Sequence, residues 1–202
     1  MVIIAIAWYL GILFLHLSHE FGHAFFRYVF KAPAKEIEVG KGPQIYSGQF
    51  GGLKVQVRLF PFGGICKDPF NRNVPQVNSI LPALVIFAGG NIVNTVEALI
   101  LFFIIHFTEI TLYNIFIFRF LFAVSVVMLV GNSIPYSSNN DGRKILLAIK
   151  GLLTGNVTRE WLDSKVSKSM NPKLNCVLFV LSIVIGGVAF CLLFVINVFH
   201  IL

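Results

Sequence analysis

Three stretches of nearly unbroken apolar residues, Val2 to Phe30, Ser79 to Phe107 and Leu174 to Leu202, alternate along the chain with segments where polar and charged residues gather. Each is longer than the roughly 20 residues that an α-helix needs to cross a bilayer. A fourth stretch, Ile115 to Ile134, has about the minimal length and holds one charge, Arg119. The pattern predicts an all-α polytopic membrane protein forming a single domain over residues 1–202, with about four transmembrane helices near 2–30, 79–107, 112–135 and 174–202. Between the first two helices the period changes to two. Leu53, Val55, Val57 and Leu59 alternate with Lys54, Gln56 and Arg58, and Gly51 with Gly52 supplies a turn. A membrane-associated β-hairpin from Gln44 to Leu59 is therefore expected after the first helix, within a cytoplasmic region 36–75. Residues 143–173 read as a cytoplasmic loop, in which "GNVTREWLDSKVSK" is either a short amphipathic helix or a plain connector.

Composition agrees with lipid as the solvent: the 202 residues are 56% hydrophobic and only 12% charged. The formal net charge of +7 raises nucleic acid as a partner, but the basic residues form no stripe interleaved with exposed aromatics, and nucleic acid binding is not expected. They fall instead between the first and second apolar blocks, from Arg27 to Arg72, and between the third and fourth, from Arg143 to Lys173. Basic loops stay in the cytoplasm, so both long connections are expected inside and both termini outside. No positive residue precedes the first block, which is too long for a cleaved signal peptide and is expected to stay. Cys66, Cys176 and Cys191 show no CxxC spacing, which argues against a disulfide framework or a thiolate zinc site and leaves them as small apolar fillers.

Against this background "LSHEFGHAFF", Leu17 to Phe26, stands out. His19 and His23, four apart on a helix, project from one face, the HExxH spacing that sets two imidazoles on one zinc ion. Glu20 is then placed to act as general base toward a metal-activated water. A carboxylate deep in a membrane helix costs on the order of 3 kcal/mol, which weighs against a merely decorative role. His16 lies on about the same side and fits a packing or supporting role better than ligation.

A catalytic zinc needs a third protein ligand and an open position. Glu97, His106, Asp141 and His200 are the candidates in or beside the other apolar blocks. His106 and His200 fall near the predicted outer ends, at the wrong depth for His19 and His23. Asp141 fits best. It sits in "GNSIPYSSNNDGRK", where Pro135 and the Ser, Asn and Gly residues interrupt the helix, and irregular backbone at membrane depth must line a protein cavity.

In order along the chain, HEFGH at His19 to His23, "RLFPFGGICK" at Arg58 to Lys67, "AGGNIVN" at Ala88 to Asn94 and "NNDG" at Asn139 to Gly142 resemble the motifs of the site-2 protease family of intramembrane zinc metalloproteases. The resemblance implies one Zn2+ per chain on His19, His23 and Asp141, with Glu20 as the catalytic base. It also matches Asn94, Asn132 and Pro135 to the family's segments near substrate and transition state. Gly90 stands where the family usually has proline, which is expected to alter chiefly the bend and packing of the second helix, and Asn139 and Asn140 replace the commoner Leu or Pro. No stretch resembles the PDZ or CBS domain of some members, so any regulation those supply must be missing or come from a membrane partner.

On the second helix Asn91, Asn94 and Glu97 form a polar stripe that must face the bundle. Asn94 is a candidate donor to an oxyanion or an interhelical bond, and Glu97 is expected at the depth of Arg119 and in position to pair with it. The expected function is an intramembrane zinc metalloendopeptidase. It would cut a membrane-embedded protein or peptide in or near its transmembrane segment, from a multi-pass position in a bacterial or archaeal cell membrane with the active site toward the cytoplasm. The hairpin either takes up an extended substrate on its edge or lies on the membrane as scaffold. The competing readings are a noncatalytic metal-binding membrane protein or transporter, and a protease-like scaffold. A transporter has no need of a carboxylate at Glu20.

Overall fold

The computed structural model describes residues 2–68, 74–108, 112–137 and 140–199. The elements run α1 (Val2–Val29), β1 (Glu36–Phe50), β2 (Leu53–Lys67), α2 (Ile80–Phe107), α3 (Leu112–Ser133), α4 (Asp141–Leu153), α5 (Arg159–Val166) and α6 (Pro172–Phe199). The chain is 66% helical. Among the described residues four helices are long and apolar enough to cross a membrane: α1, α2, the Phe116–Ser133 part of α3 and the Pro172–Leu193 part of α6. The ends of α1, α2, α3 and α6 lie within about three residues of the predicted 2–30, 79–107, 112–135 and 174–202, with position 1 and positions 200–202, His200 among them, lying outside the described residues.

Local chemistry sets the ends of these helices. α1 stops at a left-handed cap, with Lys31 at φ 57° and its amide bonded to the Tyr28 carbonyl while the Ala32 amide reaches back to Arg27. α3 ends at Ser133, two residues short of the expected 135, because Pro135 disfavours helical backbone at Ile134. Asn140 then caps α4 by accepting the Arg143 amide at 3.1 Å, and this makes Asp141 the first residue of a new helix.

β1 and β2 form a hairpin about Gly51 and Gly52, both with positive φ, from Phe50 paired with Leu53 to Gln44 paired with Arg58. The two strands then bend back on themselves. Residues 36–39 lie between 54–57 on one side and 64–67 on the other, so Val39 faces both Val57 and Gly64. This inner sheet packs on α1 through Ile37 and Val39, both fully buried with Ala24. The Tyr9 hydroxyl donates to the Leu59 carbonyl at 2.8 Å, which carries the hairpin about 15 Å along α1 beyond His19. Positions 69–73 of the expected region 36–75 lie outside the described residues.

The stretch 143–173 differs from a loop. It holds most of α4 and all of α5, whose apolar faces close a core beneath α2: Ala148, Leu162 and Val166 are buried with Ile80, Ala83, Ile86 and Phe87. Thr158 caps α5 toward the Trp161 amide. Of the two alternatives for "GNVTREWLDSKVSK", the short amphipathic helix is the one formed, with Leu162 and Val166 inward; α4 before it and the caps Asn140 and Thr158 are not expected from a loop.

Three charges tie the hairpin together. Glu38 accepts from Lys67 at 2.8 Å and from Arg58 at 2.6 Å. The hydrogen bond from Lys67, with Arg58 beside it, outweighs partial burial and holds the Glu38 carboxyl below its ordinary range. The stabilisation is then fully present above the ordinary glutamate value, ~4.3, and lost as pH falls through the depressed folded-state value. Exposed pairs are worth about 1 kcal/mol or less. Amide protection in the 36–39 and 64–67 strands, taken relative to the intrinsic exchange rate at each pH, is expected to fall on acidification in the wild-type protein, and Glu38→Gln should remove that pH dependence.

Candidate metal centre

Residues from four segments converge near the C-terminal third of α1. His19, Glu20 and His23 lie on its inward face and are all buried. The imidazoles meet Asp141 at the start of α4: Asp141 Oδ2 is 3.3 Å from His19 Nε2 and 3.1 Å from His23 Nε2, and the two nitrogens are 3.3 Å apart. For ligand bonds of 2.0–2.1 Å, a tetrahedral ion spaces its donors by ~3.3 Å. Among the described residues these three form the group able to hold a metal.

Supporting contacts orient the donors. The His23 Nδ1–H donates to the Ile86 carbonyl at 2.8 Å, which leaves Nε2 free to ligate. α2 approaches closely enough for this because glycines face each other. A methyl built on Gly22 would lie 2.5 Å from the Gly89 carbonyl oxygen, and one on Gly89 would lie 2.7 Å from the Gly22 oxygen. A methyl on Gly90 would run into the His19 imidazole, and one on Gly142 into the Ser133 carbonyl. Gly90 thus makes room for a ligand, beyond the bend and packing expected of it. On the other side β2 crosses Glu20 at Gly64, where a Cβ would come within 2.5 Å of the carboxylate.

A cavity of about 440 Å³ opens over this centre, lined in part by Glu20, Gly64, Asn132, Tyr136 and Ser182. A family comparison completes these observations, for the model of Peptidase family M50 matches residues 7–199. The chain belongs to peptidase family M50. This is the site-2 protease family of membrane zinc metalloproteases, and no PDZ or CBS domain is shown beside the match. No curated protein matches the chain.

The M50 residues named from the sequence separate into two groups. His19, His23, Asp141, Glu20 and Asn132 share the cavity, and Asn132 Nδ2 lies 3.4 Å from His19 Nε2. Asn94 is fully buried, with no hydrogen-bond partner for either amide atom among the described residues, and is not among the cavity residues. Pro135 bounds the non-helical segment between α3 and α4 but does not line the cavity either; Asn139 lies outside the described residues. His16 lines it and bonds to the Ile12 carbonyl of its own helix, as a supporting residue does.

The expected Glu97–Arg119 pair is not formed. Glu97 instead takes the hydroxyl of Ser18 on α1, while Arg119 is buried and its Nε and Nη1 have no partner among the described residues. Counting residues gave the depth of each charge but not the direction it faces around its helix. Sequence reasoning also passed over Arg27 and Lys144, which line the cavity. Arg27 follows His23 by four residues, a same-face spacing that was available as a signal. Cys66 lines it too, yet burial pushes its thiol up to about 12, which keeps it protonated and inert.

Gly90→Ala should weaken zinc binding by about 10–100-fold, as loss of a ligand-orienting contact does, while the helical circular dichroism stays unchanged. Metal titration of the purified protein checks both.

Proposed function

We propose that this M50 peptidase is an intramembrane zinc metalloendopeptidase that hydrolyses a peptide bond in or near the transmembrane segment of a membrane-bound protein or peptide. The observation that carries the proposal is the triangle of buried His19 and His23 with half-buried Asp141, its donors 3.1–3.3 Å apart and the buried Glu20 beside it. His19, Glu20 and His23 lie in α1, which is apolar enough to span a bilayer, and Asp141 joins them from the start of α4. His19 and His23 through Nε2, with Asp141 through Oδ2, would hold the ion. Bound zinc would supply Lewis acidity and bring the pKa of a water down toward neutrality.

The rest of the chemistry falls to the chain. Glu20, held under β2 at Gly64, takes the proton of the attacking water and returns it to the leaving nitrogen. Asn132, beside His19 on the cavity wall, is placed to donate to the carbonyl oxygen as negative charge develops there. This role suits Asn132 better than the fully enclosed Asn94. The 64–67 segment pairs through one side with 36–39 and lines the cavity over Glu20. In this reading an unwound substrate is laid against it in extended form, main chain to main chain.

The basic connections Arg27 to Arg72 and Arg143 to Lys173 favour a cytoplasmic site with both termini outside, in a bacterial or archaeal cell membrane. The partners are then the membrane-embedded substrate, the lipid bilayer and any regulatory membrane protein, and nucleic acid is not among them.

Reconstituted with zinc and a single-span peptide substrate, the protein should lose cleavage on chelation and regain it on zinc addition. Glu20→Gln should keep its zinc and lose about 10²–10⁴-fold in rate. Full cleavage by that variant would remove Glu20 from the chemistry, and absence of bound zinc in the wild type would remove the metal.

A further inference from the structure

We infer that the cavity holds a second recognition site, an anion site built by Arg27 and Lys144 that takes a carboxylate of the substrate two or three residues from the bond that is cut. The inference rests on the peptidase reading for the identity of the ligand as a peptide, and on independent geometry for its charge.

Arg27 is 5% exposed. Its Nη1 is buried without a hydrogen-bond partner, and no ion pair joins its guanidinium among the described residues. A buried, uncompensated guanidinium is costly unless something completes it. It does not lie in a packed core: Arg27 lines the cavity that contains the metal centre. The half-buried Lys144 lines the same cavity, with its ammonium 5.7 Å from the ring centre of Phe87; it lies in the field of Asp141 and Glu20 but forms no ion pair with a carboxylate among the described residues. The third cation there, Lys67, is already held by Glu36 at 3.4 Å and Glu38 at 2.8 Å. Of the three cations Lys67 is thus ion-paired, whereas Arg27 and Lys144 form no ion pair among the described residues.

The two cations without an ion pair occupy equivalent places. Arg27 is four residues after His23 on α1, and Lys144 is three after Asp141 on α4, so each stands about one helical turn beyond a metal ligand. Four residues of helix rise about 6 Å, and an extended peptide advances about 3.3 Å per residue. A peptide bond lying at His19, Glu20 and His23 therefore brings the residue two or three positions along it to Arg27. A guanidinium from α1 and an ammonium from α4 lining one cavity suit a carboxylate, which accepts from both. An Asp or Glu side chain supplies it, as does the terminal carboxylate of a chain that ends there.

The test uses the full-length protein in lipid vesicles, with single-span Leu/Ala-rich peptides. In these, Asp, Asn or Lys is moved one position at a time through the membrane-proximal residues, and a parallel set ends at the same positions as free acid or amide. Binding is measured on the Glu20→Gln protein by fluorescence, and cleavage on the wild type by mass spectrometry. At one or two positions Asp should bind on the order of tenfold more tightly than Asn, and the cut should fall two or three residues away. Arg27→Glu should invert the preference toward Lys, and Lys144→Gln should reduce it. Preference for free acid over amide, with internal Asp and Asn equal, would assign the site to a chain terminus. Equal binding of Asp, Asn, acid and amide by the protein with Arg27 and Lys144 intact would overturn the anion site even if every peptide is cut. A charge preference without cleavage by the zinc-loaded wild type would instead retain the anion site and remove the peptidase reading.

Discussion

The contact on which the rest depends is the crossing of α1 and α2 at Gly22 and Gly89, where each backbone occupies the space a side chain on the other would need. Apolar side chains give helices in lipid no reason to prefer one partner over another, so close backbone packing and polar contacts decide the arrangement. Here both act at the same level. The crossing brings the Ile86 carbonyl to His23, seats the His19 ring over Gly90 and leaves Ser18 against Glu97. α2 serves as the backboard of the site without giving it a ligand.

Against that backboard the remaining walls are built with small residues wherever chemistry must come near. Gly64 lets a strand pass over Glu20, and Gly142 lets α4 start tight against the end of α3. The hairpin is fixed at both ends of its run along α1, by Ile37 and Val39 packed with Ala24 and by Tyr9 at Leu59. Polar strand backbone is tolerated at such depth only against protein or a wet cavity, and the 64–67 segment has both.

Much of this was legible in the chain. Long apolar runs have one stable form in lipid, so the four spans could be read directly, and the alternation from Leu53 to Leu59 with Gly51–Gly52 gave the hairpin. The pair His19 and His23 carried its own geometry through the four-residue step, while Asp141, far away in sequence, was singled out by depth and by the broken helix around it, and the family resemblance then pointed to the same residue. What escaped was directional. The position of a residue around its helix decides whether Glu97 meets Arg119 or Ser18, and whether Asn94 reaches the cavity or stays enclosed. Caps escaped as well, since Asn140 and Thr158 look like loop residues until the helices they start are seen. The doubling back of the strands, which puts Val39 between Val57 and Gly64, is long-range pairing that alternation alone does not encode.

The union of His23 with Asp141 spans 118 positions of sequence. An ion gripped by both is a cross-link that closes a loop containing the whole hairpin, α2 and α3, and the entropy cost of closing so long a loop is met only after α4 has docked. Loading would therefore follow the docking of α4. A bound ion then reinforces the bundle as a bolt would, so that metal release and the detachment of α4 become one cooperative step.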